Sequence, residues 1–489
     1  MRRTTGWMHD LAFHYESMRR AYPQDRLMIV FDIDGTILDT RYMILSILHA
    51  YDKEHRTSHF RFIRPDDIHI HENEIESLLK GLDISEPEKS KIIEWYVLNY
   101  WSEDATFQSH KPLHGVLDVI RWFQLQPNTH VGLNTGRTEH LRAETLRVLN
   151  MLGTEYRVEF PSRLLHMHTG DDIFSSKTEG LKAFMGMGYR IVAVIDNEPA
   201  ILKAIAEEDP AGDILLVHAD TIFESAPAHI PVGTVAGNLY DITDLIPEKG
   251  LPKHIEFVWH GVDDESILRQ FLVSNVHWAE MHVRTDPYDD SVIVRRRSFS
   301  EVFRSDSETP IRLEYMLSVL KDAGRGVKLD IKEDRLLERV LAILQGLDFT
   351  DDQVWINRNI NELNIGGHKK IMEVYPGAIK QCPVDALGYL IMSAPTEARR
   401  YLSMYSRWGI DRFSVNWKTT DSRRLIIQLQ NWGYDVNIYN VPDLEAFLQA
   451  ALLLPRSITS YFNFPKWFYA GIGAEEGRHA IFDFRGIEA

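Results

Sequence analysis

Two carboxylates stand two residues apart in Phe31-Asp32-Ile33-Asp34-Gly35-Thr36, directly after an apolar run, Leu27-Met28-Ile29-Val30, that reads as a strand. At the C-terminal end of a strand, residues i and i+2 point the same way, so Asp32 and Asp34 project together. Gly35 allows a sharp turn there, and Thr36 has the hydroxyl to hydrogen-bond it. Two like charges held this close call for a cation, and oxygen donors of this kind suit Mg²⁺. Open α/β sheets gather their chemistry at this end of their strands.

Three more polar positions follow at the ends of predicted elements. Thr135 ends the strand-like run 130–135, ahead of Gly136-Arg137, where a hydroxyl and the N–H groups of the next helix can hold an anion. Lys177 lies in Ser175-Ser176-Lys177-Thr178-Glu179, just ahead of a helical run, with Lys182 as its competitor. Asp196-Asn197-Glu198 follows Ile191-Val192-Ala193-Val194-Ile195, a fully apolar run typical of a buried parallel strand, and Pro199 begins a helix.

The run from Asp32 to Thr40 (Asp-Ile-Asp-Gly-Thr-Ile-Leu-Asp-Thr) resembles the first motif of the haloacid dehalogenase (HAD) superfamily, mostly phosphatases. Thr135, Lys177 and Asp196 match its second, third and fourth motifs in order. The resemblance implies that Asp32 attacks phosphorus to form an aspartyl-phosphate, and that Asp34 protonates the leaving oxygen and then deprotonates water. It implies Mg²⁺ held by Asp32, the Asp34 main-chain carbonyl and Asp196, with Asn197 or Glu198 completing the outer shell. Thr135 and Lys177 would stabilise phosphoryl oxygens. A helical cap inserted at about 41–110 would select the substrate. His55, His59, His69 and His71 within it come without a recognisable third ligand and read as surface or core residues.

Residues 246–253 read as a linker after a domain at 26–245. Beyond it, eight strand-like runs alternate with helical patterns over 254–489, which suggests a (β/α)8 TIM-type barrel. His260, Glu280, His282, Asp330 and Lys332 fall at or near strand ends, where barrels place their sites. The layout loosely resembles glycerophosphodiester phosphodiesterase barrels: a His-Gly after the first strand, an acidic pair on the second, an acidic strand followed by Lys on the third. Two departures stand out. The acidic pair reads Glu280-Met281-His282, and Val292-Ile293-Val294-Arg295-Arg296-Arg297 carries no second histidine. Acid–base catalysis by a histidine pair is therefore not expected. A metal site of Glu280, His282 and Asp330 is one reading of the barrel; an anion-binding or purely structural barrel is another.

The whole is expected to be α/β: an HAD-type, Rossmann-like doubly wound sheet with an inserted helical cap, then the barrel. With 489 residues, 44% apolar and 26% charged, the chain is long enough for these domains and their cores. A net charge of −17 argues against nucleic acid as partner. Cys382 is the lone cysteine, which excludes intrachain disulfides and multi-thiolate zinc and suits a reducing cytoplasm. Residues 1–25 read as an N-terminal helix without the apolar core of a signal peptide, and no run is long enough to span a membrane. The function expected is Mg²⁺-dependent hydrolysis of a small phosphomonoester, beside a barrel that binds or processes a phosphorylated small molecule. The alternatives are a phosphatase with an inactive barrel that binds, assembles or regulates, and a phosphotransferase. Substrate identity and oligomeric state are not legible.

Overall fold

The apolar runs of the first half become the strands of one parallel sheet. The computed structural model describes residues 6–462 and 464, apart from 101–108, 171, 210, 222–229, 248–249, 303–309 and 359–364. The end of the expected cap and the chain beyond 464 thus lie outside the described residues. Contacts divide the chain into two units, Met1–Ile246 and Pro247–Ala489.

In the first unit the strands are β1 (Arg26–Phe31), β2 (Thr129–Thr138), β3 (Leu165–His168), β4 (Tyr189–Asp196), β5 (Leu215–Ala219) and β6 (Val235–Gly237). They are all parallel, in the order β3-β2-β1-β4-β5-β6. This is the doubly wound arrangement, with the reversal between β1 and β4. Parallel strands covered on both faces read as continuous apolar runs, and all of β1 after Arg26 is buried. Met28 and Val30 pack with Leu181 and Phe184 of one helix and Ile201 and Leu202 of another. The N-terminal helix Trp7–Ala21 packs on this unit through Trp7 Nε1, which donates to the Leu239 carbonyl (2.6 Å), and through Tyr15, hydrogen-bonded to Thr129 (2.8 Å).

The cap is inserted between β1 and β2. Helices at Thr40–His55, Ile75–Lys80 and Glu86–Asn99 bury their own core, including Ile44, Leu48, Phe60, Ile92 and Tyr96. Its two ends form a short antiparallel neck: Leu38 bridges Pro112, Asp39 N–H donates to the Lys111 carbonyl (2.8 Å), and Leu113 N–H to that of Ile37 (2.9 Å).

In the second unit, all eight expected strands are present: β7 (Glu256–Trp259), β8 (Trp278–Thr285), β11 (Gly326–Ile331), β12 (Val354–Asn357), β13 (Ile379–Pro383), β14 (Arg412–Asn416), β15 (Asp435–Val441) and β16 (Ser457–Ser460). Each pairs in parallel with the next, and β16 pairs with β7 and β7 with β8, so the barrel closes. β9 (Val292–Val294) and β10 (Ile311–Arg312) add an antiparallel flap to β8. The interior is layered. Arg412 donates to Glu256 (2.8 Å) and Ser457 (3.1 Å), and its guanidinium lies over the buried Trp355 ring, 4.4 Å from the centroid. Lys328 also lies over that ring, 5.1 Å from the centroid, and meets Glu280 and Thr459. Filling a barrel with such side-chain layers makes it a core rather than a pore. Among the described residues, no helix is long and apolar enough to cross a membrane.

Candidate functional site

The doubly wound sheet brings the dispersed polar residues of the first unit to one place, the carboxyl ends of β1 and β4 at the reversal point. Asp32 follows β1 and Asp196 ends β4, both buried. Lys177 donates to Asp32 Oδ1 (2.7 Å), to Asp196 Oδ2 (2.8 Å) and to the Asn134 carbonyl (2.7 Å). It sits within the helix Ile173–Gly186 rather than ahead of it, because Asp172 caps that helix by accepting from Phe174 and Ser175 N–H. The competitor Lys182 pairs with Glu208 at the surface. Thr135 is also placed differently: β2 runs on to Thr138, with a register shift after Asn134, and the Thr135 hydroxyl accepts from Arg137 N–H (3.2 Å).

Gly35 is required at the turn for two reasons. Its φ is +74°, and a Cβ there would lie 2.6 Å from the Asn197 side chain. That amide lies 3.1 Å from the Asp34 main-chain oxygen and 3.3 Å from Asp32 Oδ2. With its nitrogen turned toward them it donates to both; with its oxygen toward them, three oxygens converge, and a cation satisfies them. Glu198 is turned the other way, to His71 of the cap (3.2 Å). Among the described residues no trio of His, Cys, Asp or Glu side chains is placed to hold a metal. The set at Asp32 is of another kind: one carboxylate, one main-chain carbonyl and one amide.

Arg137 was not singled out by motif, yet it holds the second carboxylate. Its Nε and Nη2 donate to the two oxygens of Asp34 (both 2.7 Å), Nη1 to Thr145 (3.2 Å), and Nη2 also meets His110 Nε2 (3.0 Å). Burial by itself would raise the Asp34 carboxyl, but this bidentate guanidinium overrides it and holds Asp34 below the usual range. Burial pushes Asp32 up to about 7, with Lys177 pulling it down and Asp196 pushing it further up. Lys177 remains cationic despite its burial, held by Asp196 and Asp32 together. When Asp32 is ionised, three carboxylates face the two cations Lys177 and Arg137.

The cavity over these groups measures about 270 Å³ and is roofed by His71, Glu72 and Asn73 from the cap. The Tyr96 hydroxyl fixes this segment by donating to the Glu72 carbonyl (2.9 Å). Burial raises the Glu72 carboxyl, His71 lowering it and Asp34 raising it further.

In the barrel, all five singled-out residues line one cavity of about 430 Å³. Their pairing does not fit a metal. Glu280 gives one oxygen to Lys328 (3.1 Å) and the other to His260 Nδ1 (2.5 Å). His282 Nδ1 is held by Asp263 (2.7 Å), a residue the sequence did not suggest, and Asp330 is held by Lys332. Burial would lower His282, but the Asp263 carboxylate overrides it, helped by Glu280 and Asp330, and the imidazole is raised. A raised value means stabilisation that is present below about pH 6.5, the ordinary histidine value, and is lost as pH climbs through the folded-state value. Urea unfolding of the full chain should therefore show stability falling above about pH 6.5, with His282→Gln flattening that limb.

No family model matches the chain, and no curated protein matches it. Solved structures resemble it in parts. A glycerophosphodiester phosphodiesterase from Agrobacterium tumefaciens is 14% identical, covering 44% of this chain and 99% of its own, with a TM-score of 0.29. A subfamily IA HAD-superfamily hydrolase from Geobacter sulfurreducens is 12% identical (45% and 95% covered, TM-score 0.28), and a HAD family hydrolase from Deinococcus radiodurans 14% identical (44% and 90%, TM-score 0.29). Both folds have neighbours among solved structures. The fold assignment itself rests on the strand orders and the barrel closure described above, since likenesses this distant carry none of it.

Proposed function

We propose that the first unit is a Mg²⁺-dependent phosphomonoester hydrolase working through an aspartyl-phosphate on Asp32. The observation that carries this reading is the buried Asp32, one oxygen fixed by Lys177 and the other beside the Asp34 carbonyl and Asn197, at the reversal point of the sheet. Asp32, Asp196, Asn197 and the Asp34 carbonyl would hold Mg²⁺, which when bound neutralises charge on the nucleophile and the phosphoryl group. Lys177 and Thr135 face the phosphoryl oxygens and stabilise their developing charge. Asp32 attacks phosphorus and the leaving oxygen takes a proton from Asp34. Asp34 then accepts a proton from the water that opens the acyl phosphate. The Arg137 clamp adds a condition: Asp34 rests ionised, so when the incoming phosphate draws Arg137 to itself, Asp34 must first take a proton from the substrate's phosphate monoanion, and it then passes that proton to the leaving oxygen.

Phosphate release from a panel of phosphomonoesters, with and without Mg²⁺, tests the reading; a folded protein that releases none would overturn it and favour phosphotransfer. Glu72 reaches into the cavity from the cap, so Glu72→Gln should change relative kcat/KM across the panel by about tenfold with the unfolding midpoint unchanged. For the barrel, the absence of a second histidine near Arg296 and the Glu280–Lys328 pair favour a binding module over a phosphodiesterase. Cys382 is free and buried, and a reducing cytoplasm is the proposed setting.

A further inference from the structure

Among the described residues, the barrel mouth has no His, Cys, Asp or Glu trio placed to hold a metal. Its floor is internally compensated: Lys328 with Glu280, Lys332 with Asp330, His282 with Asp263. The rim is not. Arg284 on β8 and Arg296 and Arg297 just after β9 line the same cavity, and among the described residues none of the three forms an ion pair with a carboxylate. Arg284 donates to the Arg296 carbonyl (3.2 Å) and Arg296 to the Tyr461 hydroxyl (2.6 Å). Glu301 is the acidic residue nearby, and it accepts from Ser298 N–H (2.8 Å). A cationic rim on a chain of net charge −17 is a local exception. The floor adds a second sign of a ligand. His260 gives its Nδ1 to Glu280, and its buried Nε2 has no hydrogen-bond partner among the described residues.

We propose that the barrel mouth is a metal-free receptor for a phosphate-bearing small molecule, with Arg284, Arg296 and Arg297 as its anion clamp and His260 as a polar contact in the floor. A carboxylate is filled by one guanidinium fork, whereas a phosphate presents three oxygens and rewards several forks at once. A cavity of about 430 Å³ is of the size that encloses a small metabolite. Lys328 already balances the charge of Glu280, so the floor needs no metal to offset that carboxylate. This deepens the reading of the barrel as a binding module and stands apart from the hydrolase reading, since binding here can persist if phosphate release fails.

Titration calorimetry of the full chain carrying Asp32→Asn, in chelator, with glycerol 3-phosphate as probe, tests it. The expected result is binding that is unchanged by the chelator and weakened about tenfold or more by Arg296→Gln with Arg297→Gln. Both arginines are exposed, and circular dichroism checks that the double variant folds. Three outcomes would overturn it: no binding, binding that needs added Mg²⁺ or Ca²⁺, or binding indifferent to the two arginines. Glycerate, which carries a carboxylate in place of the phosphate, should bind at least about tenfold more weakly; equal binding would overturn the phosphate assignment.

Discussion

Asp32→Asn is expected to lower Mg²⁺-dependent phosphate release at least about a thousandfold while leaving the protein as stable as before or more so. The amide is nearly the same shape and still accepts from Lys177, but it is no nucleophile toward phosphorus. The stability half of the expectation follows from charge. Asp32 is buried with its carboxyl pushed up to about 7, so its ionised form is held at a cost. Three carboxylates facing Lys177 and Arg137 become two facing two. Phosphate release and urea midpoints on the same preparations give the answer. Activity within about tenfold of wild type would remove Asp32 as nucleophile, and a lower midpoint would refute the charge accounting.

Lys177→Met should have the opposite signature. Its ammonium is shared by Asp32 and Asp196 at 2.7 and 2.8 Å, with all three groups buried. Removing one partner of a buried ionic group leaves unpaired charge and costs about 3–5 kcal/mol. The methionine fills most of the space, so the loss reports charge rather than a cavity. Mg²⁺ should return part of this stability, because the cation binds the folded state alone. Unfolding curves with and without Mg²⁺ measure it. A variant as stable as wild type would show that Lys177 compensates nothing, and indifference to Mg²⁺ would count against the oxygens of Asp32, Asp34 and Asn197 as a cation site.

The strands were legible because parallel strands buried on both faces must be apolar throughout, as in Ile191–Ile195 or Leu27–Val30. β3 escaped notice because Leu165-His166-Met167-His168 is half polar and, among the described residues, pairs with β2 alone. Asp32, Asp34 and Asp196 were readable as types at element ends and Lys177 as a type though placed a turn too early, and the fold brings them together. Partners were not readable. Arg137 grips Asp34 from 103 positions away, and Asp263 takes His282 from 19. Period and face tell where a side chain points, but the charge it meets depends on strand order and loop path. The same limit hid His71 and Glu72, which looked like ordinary polar residues of a helical insertion and instead roof the cavity.

The neck formed by Leu38 with Pro112 and by Asp39 with Lys111 makes the cap a cassette. Its two ends leave the sheet side by side, so whatever is spliced between them closes over a loop whose ends are already joined. The cap core is its own, with Ile44, Leu48, Phe60 and Tyr96 packed among cap residues. If Asp32 acts as proposed, grafting a different cap at this junction would exchange His71 and Glu72 over the cavity while the groups around Asp32 keep their scaffold. Residues 38 and 112 are thus the points at which the insertion can be exchanged as a unit without a change within the sheet.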